Sequence, residues 1–497
     1  MSTAAGMKPK PFLIGSEWVQ DTSSCITCVN PATGDVNYEV CAATEAHIDA
    51  AVQTAAEAAA KPAWRNMLPH ERARLLNRVA DLMMERADLL ARCQMLENGK
   101  VWKECKTQVG HAAAAFRYAA AAVEVLCAEV TPPRGNYLSM TAYEPYGVVA
   151  AITPWNSPLT LTASKLSAAL AAGNAVVLKP ASSTPTCGIE FGRIALDAGV
   201  PPGILNVVPG PGGKIGDALV KHPKVRMISF TGGTEVGRRI ATFAGERLIP
   251  AVLELGGKSP HIVFADADLK SAADAVTVAI FEGTGQSCTA GSRLFIQRNV
   301  MDQFLGLVLD RTRALRVGMP DDPDSQLGPL ATFSQRDFVE TIVETTRKEN
   351  GSVLIGGERP RDSRLAKGAF YMPTILTQIT NQSTAARQEI FGPVLCVLPF
   401  DNEDDLLRQA NDTIYGLASG IWTSDYKKAW RVGRTLEAGV VWINTYKQVS
   451  ASSPFGGFKD SGLGRERGLH GIRAYQQQKS LFWSMSEKFD GGFTIAK

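Results

Sequence analysis

The chain has 497 residues, of which 45% are hydrophobic and 20% charged, and its formal net charge is +3. This length exceeds what one hydrophobic core supports, so we expect several domains. The small net charge and the lack of a basic run exclude nucleic acid as a partner. The segment 1–10 lacks the apolar core of a signal peptide, and the most apolar window, 159–178, is too polar to span a membrane. We therefore expect a cytoplasmic protein.

The nine cysteines are an odd number and lie scattered from Cys25 to Cys396. This pattern predicts no disulfide framework and fits a reducing compartment. Cys25 and Cys28 have C-x-x-C spacing, but no second pair of Cys or His lies near them in sequence. We therefore expect no metal site.

The first quarter of the chain predicts a short strand pair followed by helices. Residues 11–44 contain β-formers and turn residues, which predicts two strands joined by turns. Residues 44–128 are rich in Ala, Leu, Arg and Glu, with breaks at Lys61-Pro62 and Asn98-Gly99. A Pro-Pro turn then ends the helices, and residues 137–144 predict a strand.

Strands and helices alternate from residue 147 onward. A continuous apolar strand at 147–152 is followed by an apolar helix at 159–172 and another buried strand at 175–178, and 207–208 and 227–230 continue the series. A second series follows residue 257, with strands at 261–264, 293–296, 394–397 and 439–443 and helices at 300–315 and 334–349. The fold class is therefore α/β, because such alternation favours parallel sheets covered on both faces.

The last segment, 474–483, is polar and rich in β-formers. A lone strand at a chain end needs a sheet to join, and that sheet often belongs to a partner subunit.

Two glycine-rich turns follow predicted strands and precede predicted helices. They span 210–216 and 230–237, where glycine would let a phosphate approach a helix N-terminus. Neither has the G-x-G-x-x-G spacing, so two ordinary tight turns remain an alternative. Lys179 could be a solvated loop charge, but it stands at the carboxyl end of a buried strand, where open α/β sheets bind ligands, and this position favours a ligand contact.

Three side chains suggest covalent chemistry. Cys288 lies in a Gly-Ser-Thr loop, unlike most of the other cysteines, and Glu254 stands among small residues. Asn156 ends a strand and could hydrogen-bond an oxyanion, although a helix cap accounts for it equally well. No His lies near Cys288 in sequence, so a Cys–His hydrolase is unsupported.

Together these segments resemble the aldehyde dehydrogenase superfamily over nearly the whole chain. The matching stretches occur in the family's order: Thr153-Pro154-Trp155-Asn156, Leu178-Lys179-Pro180, Phe230-Thr231-Gly232, Leu253-Glu254-Leu255-Gly256-Gly257-Lys258, Gly285-Gln286-Ser287-Cys288, Glu389-Ile390-Phe391-Gly392-Pro393 and Pro454-Phe455-Gly456-Gly457.

The resemblance implies catalytic roles at matching positions. Cys288 would attack the aldehyde, and Asn156 with the Cys288 backbone N–H would hold the oxyanion. Glu254 would activate the water that hydrolyses the thioester. Lys165 and Glu466 match positions of a proton relay.

The resemblance also implies NAD or NADP as cofactor. The matching cofactor positions are Ile152, Thr153, Trp155, Lys179, Ser182, Gly212, Gly216, Phe230, Gly232, Gly233, Leu255, Glu389 and Phe391. Members that prefer NAD often carry a glutamate where this chain has Ser182. A hydroxyl would not repel a 2′-phosphate, so we expect NADP to be tolerated.

The substrate pocket departs from the family pattern. Its implied members are Ser157, Leu161, Ser164, Ser287, Thr289, Lys447, Val449 and Phe455. Several are small where many members have bulk, which predicts a wide pocket for a bulky, aromatic or carboxylate-bearing aldehyde. Lys447 could contact an anionic substrate, but a solvated charge explains it equally well.

The implied organisation is an NAD(P)-binding domain (1–125 and 146–255), a catalytic domain (256–473) and an oligomerisation element (126–145 and 474–497) in a homodimer or homotetramer. Glu254 disfavours a coenzyme A-acylating relative, which usually lacks this base. The presence of both Cys288 and Glu254 disfavours a non-catalytic protein on the same scaffold.

Overall fold

The structure is a computed structural model and describes residues 8–487. Its first part is mostly helical. The elements up to residue 125 are β1 (Phe12–Ile14), β2 (Glu17–Val19), β3 (Cys25–Val29), β4 (Val36–Cys41), α1 (Glu45–Ala60), α2 (Pro62–Arg65), α3 (Pro69–Glu85), α4 (Ala87–Asn98) and α5 (Trp102–Val125).

Local sequence explains where these helices begin and end. Thr44 caps α1, since its hydroxyl accepts a hydrogen bond from the backbone N–H of His47 at 3.4 Å. Proline occupies the first turn of α2 and α3, where no N–H is needed. Gly99 ends α4 in the left-handed conformation.

Strands and helices alternate in the middle of the chain. The elements are β5 (Glu129–Thr131), β6 (Tyr137–Pro145), β7 (Val148–Ile152), α6 (Pro158–Ala171), β8 (Ala175–Lys179), α7 (Pro185–Asp197), β9 (Leu205–Val207), α8 (Asp217–Lys221), β10 (Val225–Thr231), α9 (Thr234–Arg247) and β11 (Ala251–Glu254).

The same alternation continues to the end of the described chain. The elements are β12 (Pro260–Val263), α10 (Leu269–Phe281), β13 (Arg293–Gln297), α11 (Met301–Ala314), α12 (Phe333–Lys348), β14 (Ser352–Ile355), β15 (Thr374–Thr377), α13 (Thr384–Arg387), β16 (Val394–Phe400), α14 (Glu403–Asn411), β17 (Ala418–Trp422), α15 (Tyr426–Thr435), β18 (Val440–Ile443), β19 (Gly462–Leu463), α16 (Gly468–Arg473) and β20 (Gln476–Ser484).

The first large sheet has the strand order β19-β11-β10-β7-β8-β9-β1-β2. Its central strands, from β11 to β9, are parallel, and the flanking strands β19, β1 and β2 pair antiparallel. The second large sheet has the order β14-β15-β16-β13-β12-β17-β18, and only β14 pairs antiparallel. The predicted α/β class with two parallel sheets is confirmed.

Apolar side chains cover both faces of the second sheet. Ile262 and Phe295 belong to one apolar cluster, and their neighbours Val263 and Leu294 belong to another. Successive side chains of a strand point to opposite faces, so each strand contributes to two cores. Continuous apolar strands therefore suit this sheet.

The N-terminal strands differ from the prediction. Residues 11–44 form two hairpins, β1–β2 and β3–β4, rather than one strand pair. Leu13 of β1 pairs with Val207, so the first hairpin extends the large sheet beyond β9. This long-range pairing leaves no mark in the local sequence.

The C-terminal strand joins a sheet of its own chain. All nine residues of β20 pair antiparallel with β6, and β5 lies on the other side of β6. β20 therefore needs no partner subunit to satisfy one of its edges, although its other edge stays open. Residues 488–497 of the predicted oligomerisation element lie outside the described residues.

Within residues 8–487, none of the helices combines the length and apolarity needed to cross a membrane. The same residues contain no group of three or more His, Cys, Asp or Glu side chains arranged to hold a metal ion.

Candidate active site

The strand register brings several candidate residues to one edge of the first sheet. Ile152 pairs with both Lys179 and Phe230, and Thr231 pairs with Glu254. Since the strands are parallel, their carboxyl ends lie side by side. The segments that follow these strands, including the loop with Asn156, therefore emerge together.

The second sheet presents its opposite edge. The loop with Cys288 precedes β13, and the loop with Glu389 precedes β16. These strands are parallel, with Arg293 opposite Cys396, so both loops lie at the amino ends of the strands. The candidate site lies where this edge meets the carboxyl edge of the first sheet.

Two glycines permit the close backbone contacts that hold the Cys288 loop. A Cβ on Gly257 would lie 2.2 Å from the carbonyl oxygen of Cys288. Gly285 has a φ of +72°, and a Cβ there would lie 2.0 Å from the carbonyl oxygen of Gly392. No other residue fits either position, so both segments require glycine.

A cavity of about 260 Å³ lies at this junction. Its lining includes nine residues that the sequence predicted for the site: Trp155, Asn156, Leu161, Gly232, Gly233, Leu255, Cys288, Glu389 and Phe391.

Cys288 is half-buried at this cavity. The surrounding protein removes the thiol from bulk water, and this desolvation, with the nearby carboxylates of Glu389 and Glu254, raises its pKa to about 12. The charge of Arg467 and the Cys288 backbone N–H oppose the rise. Without ligands the thiol is therefore protonated at neutral pH.

Asn156 directs its side-chain amide towards the Cys288 loop. Its Nδ2 donates to the backbone oxygen of Gln286 at 3.0 Å, which leaves one amide hydrogen available. Asn98 donates in turn to the backbone oxygen of Asn156 at 3.1 Å. The amide is thus fixed in position beside the thiol.

Glu254 is buried, and within residues 8–487 neither of its carboxyl oxygens has a hydrogen-bond partner. Burial and, secondly, the charge of Glu466 hold its pKa well above the usual range. The cations Lys165, Arg465 and Arg467 act in the opposite direction. Burial of a carboxyl group without a hydrogen-bond partner lowers the stability of the fold, so its presence here marks Glu254 as a functional candidate.

Lys165 and Glu466 form a buried ion pair with a distance of 2.5 Å between Nζ and Oε1. Lys165 also donates to Ser229 at 3.2 Å, and Ser164 donates to Glu466 at 3.3 Å. Both members of the pair affect the pKa of Glu254: the charge of Glu466 raises it and the charge of Lys165 lowers it. Both predicted relay residues therefore lie next to the candidate base.

Glu389 accepts a hydrogen bond from the backbone N–H of Gly257 at 2.8 Å. Burial raises the pKa of its carboxyl to about 7. Phe391 packs edge-on against Trp155, with 5.3 Å between ring centroids, and has a positive φ of 54°. Gln335 donates to the backbone oxygens of Ile390 and Phe391 and so holds this conformation.

The other predicted cofactor residues lie around this cavity rather than in its lining. The Phe230 ring packs beneath Gly232 in the core, and Thr153 accepts a hydrogen bond from Thr162. Ile152 is half-buried at the end of β7.

Lys179, Ser182 and Gly216 lie together beside the carboxyl end of β8. The Lys179 side chain passes 3.8 Å from the position of a Cβ on Gly216, and Ser182 donates to the backbone oxygen of Gly210 at 2.9 Å. A Cβ on Gly212 would meet nothing within 4 Å. A buried cation without a carboxylate partner, beside an open glycine turn, fits a nucleotide cofactor.

The predicted substrate residues divide into separate groups. Ser164 and Val449 line a second cavity of about 260 Å³ between α5, α6 and the segment before α16. Lys447 forms an ion pair of 3.0 Å with Glu282. The remaining predicted residues line neither cavity: Ser157, Ser287, Thr289 and Phe455.

Four residues near the site were not among the sequence-based candidates. Asn98, Gln286 and Gln335 hold the site loops through hydrogen bonds to backbone oxygens or from backbone N–H groups. Arg467 lines the second cavity. Amides that fix loops have no spacing signature, but Arg467 directly follows the candidate Glu466 and could have been noticed there.

Comparisons with known proteins identify a family that the chain matches in sequence and fold. The sequence model of the aldehyde dehydrogenase family matches residues 18–481. An aldehyde dehydrogenase from Bacillus cereus, solved as an NAD+ complex, is 37% identical with a TM-score of 0.94, covering 96% of this chain and 97% of its own. Betaine aldehyde dehydrogenase from Staphylococcus aureus, also with NAD+, is 32% identical with a TM-score of 0.95, covering 98% and 97%. PnpE from Pseudomonas sp. WBC-3 is 37% identical with a TM-score of 0.95, covering 98% and 99%.

The raised pKa of Cys288 predicts how fast it reacts with iodoacetamide in the cofactor-free protein. Only the thiolate reacts, so labelling should accelerate about tenfold per pH unit between roughly pH 7 and 10. The measurement is mass spectrometry of the peptide that contains Cys288, and Cys288→Ala identifies labelling of other thiols. A labelling rate that levels off below pH 9 would contradict the raised pKa.

Proposed function

The chain belongs to the aldehyde dehydrogenase family, and on this basis we propose that Cys288 is the nucleophile of an NAD(P)-dependent aldehyde oxidation that ends in hydrolysis. One observation carries the proposal. The thiol of Cys288, the amide of Asn156 and the cofactor candidates Glu389 and Phe391 surround a single cavity, with the partnerless carboxyl of Glu254 close to the thiol.

In the first step, the Cys288 thiolate adds to the aldehyde carbon and forms a thiohemiacetal. The oxyanion that develops is held by the free amide hydrogen of Asn156 and the backbone N–H of Cys288. NAD or NADP, when bound, supplies the acceptor for the hydride that leaves the former aldehyde carbon. The product on the protein is a thioester of Cys288.

In the second step, Glu254 removes a proton from water, which attacks the thioester carbon. The carbon–sulfur bond breaks, the acid leaves and the thiol of Cys288 is regenerated. Because burial and the charge of Glu466 raise the pKa of Glu254 even with Lys165, Arg465 and Arg467 acting in the opposite direction, the base is ionised only at higher pH. Steady-state turnover should therefore rise towards alkaline pH.

NADP is accepted beside NAD because Ser182 carries no charge. Burial lowers the pKa of Lys179 to about 8, so its ammonium is still largely protonated at neutral pH. Within residues 8–487, this ammonium donates only to the backbone oxygen of Pro180, at 3.3 Å, and stays available to a 2′-phosphate. The NAD+ complexes of the B. cereus and S. aureus proteins support the use of a nicotinamide cofactor.

The substrate is a bulky, aromatic or carboxylate-bearing aldehyde. Ser157, Ser164 and Ser287 are small, and the second cavity of about 260 Å³ lies beside Ser164. The ion pair of Lys447 with Glu282 reduces the value of Lys447 as an anion contact.

The three-stranded sheet of β20, β6 and β5 serves as a subunit interface in a homodimer or homotetramer. β20 has an open edge, and the large side chains of Phe482 and Trp483 are 68% and 70% exposed. An open strand edge beside exposed aromatics is typical of a contact surface.

Two active-site variants test the chemistry. Cys288→Ala should abolish aldehyde oxidation while NAD still quenches tryptophan fluorescence. Glu254→Gln should retain a rapid burst of NADH and lower steady-state turnover about 10²- to 10⁴-fold, because only hydrolysis loses its base. Residual Cys288→Ala turnover within tenfold of wild type would refute the nucleophile. Formation of acyl-coenzyme A in assays that contain coenzyme A would instead favour an acylating enzyme.

Cofactor choice is tested with Ser182→Glu. The added carboxylate should repel the 2′-phosphate, so the ratio of kcat/KM with NADP to that with NAD should fall about tenfold or more. Fluorescence titration of both cofactors measures the same change in Kd without turnover. Ser182→Thr, which keeps a neutral hydroxyl, is the matched control. If wild type shows no NADP turnover at saturation, the proposal is wrong.

The interface is tested by light scattering after size exclusion. Trp483→Lys should shift the protein towards a smaller species, because a charge replaces a buried contact. Trp430→Lys is the matched control, since Trp430 is 67% exposed on a helix far from this sheet in sequence. An unchanged mass for Trp483→Lys would exclude this surface.

A further inference from the structure

Arg467 has a backbone conformation that side chains rarely adopt. Its φ is +60° and its ψ is 171°, a region occupied almost only by glycine. The chain is held on both sides, because Glu466 and Phe455 exchange two backbone hydrogen bonds of 2.7 and 2.8 Å. The backbone oxygen of Arg467 accepts a hydrogen bond from Gly471 at 2.8 Å. The surrounding structure therefore imposes the strained conformation.

The Arg467 side chain has no anionic partner in the protein. Within residues 8–487, its guanidinium makes no ion pair or hydrogen bond and instead lies 5.0 Å from the centre of the Phe455 ring. By contrast, Arg465 donates to the backbone oxygens of Gly457 and Gly464. A guanidinium that is packed on an aromatic face keeps its hydrogen-bond donors available.

This guanidinium lines the second cavity, next to Ser164 and His111. Its charge lowers the pKa of both Cys288 and Glu254, so it acts on the reacting groups from the side of this cavity. The cavity, which α5 and α6 border, therefore lies within electrostatic reach of the thiol.

Within the described residues, two lysines that could otherwise compete for an anion are already paired. Glu466 is bound to Lys165, and Lys447 is bound to Glu282. Arg467 is thus the cation that a ligand in this cavity would meet without first breaking an ion pair.

We propose that Arg467 binds the carboxylate at the far end of the substrate, so that the preferred substrates are aldehydes that carry a second, anionic end group. The proposal rests on the proposed aldehyde oxidation at Cys288. The planar guanidinium matches the two oxygens of a carboxylate, and the Phe455 ring supports the guanidinium from outside the cavity lining. Arg467 takes over the anion contact that the sequence suggested for Lys447.

The test compares ω-carboxyaldehydes of increasing length, from succinic semialdehyde upward, with alkanals of equal length. The readout is the ratio of the two kcat/KM values. Any change in the reactivity of Cys288 cancels in this ratio, because both aldehydes use the same thiol. Wild type should favour the carboxyaldehyde at the length that spans from the thiol to Arg467.

Arg467→Gln and Arg467→Gly should reduce this ratio about 10- to 100-fold, mainly through a higher KM for the carboxyaldehyde. Arg467→Lys should retain part of the preference, since it keeps the charge but loses the planar fork. Glycine adopts the backbone conformation of residue 467 without strain, so Arg467→Gly should fold with an equal or higher melting temperature. Lys447→Gln is the matched control and should leave the ratio unchanged.

The outcomes separate this proposal from the underlying reaction. If wild type oxidises both aldehydes of every pair equally well, or if its preference survives in Arg467→Gly, Arg467 is not the anchor while the oxidation at Cys288 stands. A lost preference in Lys447→Gln with an intact one in Arg467→Gln assigns the anchor to Lys447 and overturns the proposal. If wild type oxidises neither class of aldehyde with NAD or NADP, the proposed function fails with it.

Discussion

The contact between Gly257 and the carbonyl oxygen of Cys288 is the constraint on which the site depends. A side chain at Gly257 would come within 2.2 Å of that oxygen, so only glycine lets the two sheets approach this closely. The chain reaches Gly257 directly from β11, at the carboxyl edge of the first sheet, and continues into β12 of the second. One short connection therefore fixes the distance between the sheet that carries Glu254 and the loop that carries Cys288.

This arrangement encloses several ionisable groups in little space. Burial raises the pKa values of Cys288, Glu254 and Glu389, and their mutual repulsion adds to the effect for the thiol. All three groups therefore favour their neutral forms while the cavity is empty of charge. Positive charge that a ligand brings into the site lowers these pKa values towards the reactive ionised forms, as the charge of Arg467 already does in part for Cys288 and Glu254. The site thus couples reactivity to occupancy through electrostatics.

Much of the fold followed from sequence because its strands are buried on both faces. Runs such as 148–152 and 175–178 are apolar throughout, and the helix between them begins at Pro158 and ends at Ala171. The first hairpin was not predicted as part of the large sheet, because Leu13 pairs with a strand almost two hundred residues away. The sequence predicted that β20 needs a sheet to join, often one of a partner subunit, and in the structure it pairs with β6 of its own chain. The local residue pattern does not specify which strand it pairs with.

The sequence by itself determined the family, the reaction class and the chemical identity of the candidate groups, since each motif is a local run of residues whose type dictates its chemistry. Only the tertiary structure decided which of these groups share a cavity and which charges are free. It placed Lys447 against Glu282 and, among the described residues, left Arg467 without an anionic partner, although both are simply cations in the sequence. The physical reason is that ion pairing and desolvation depend on distances between groups in the folded protein, and these distances cannot be read from the spacing of residues along the chain.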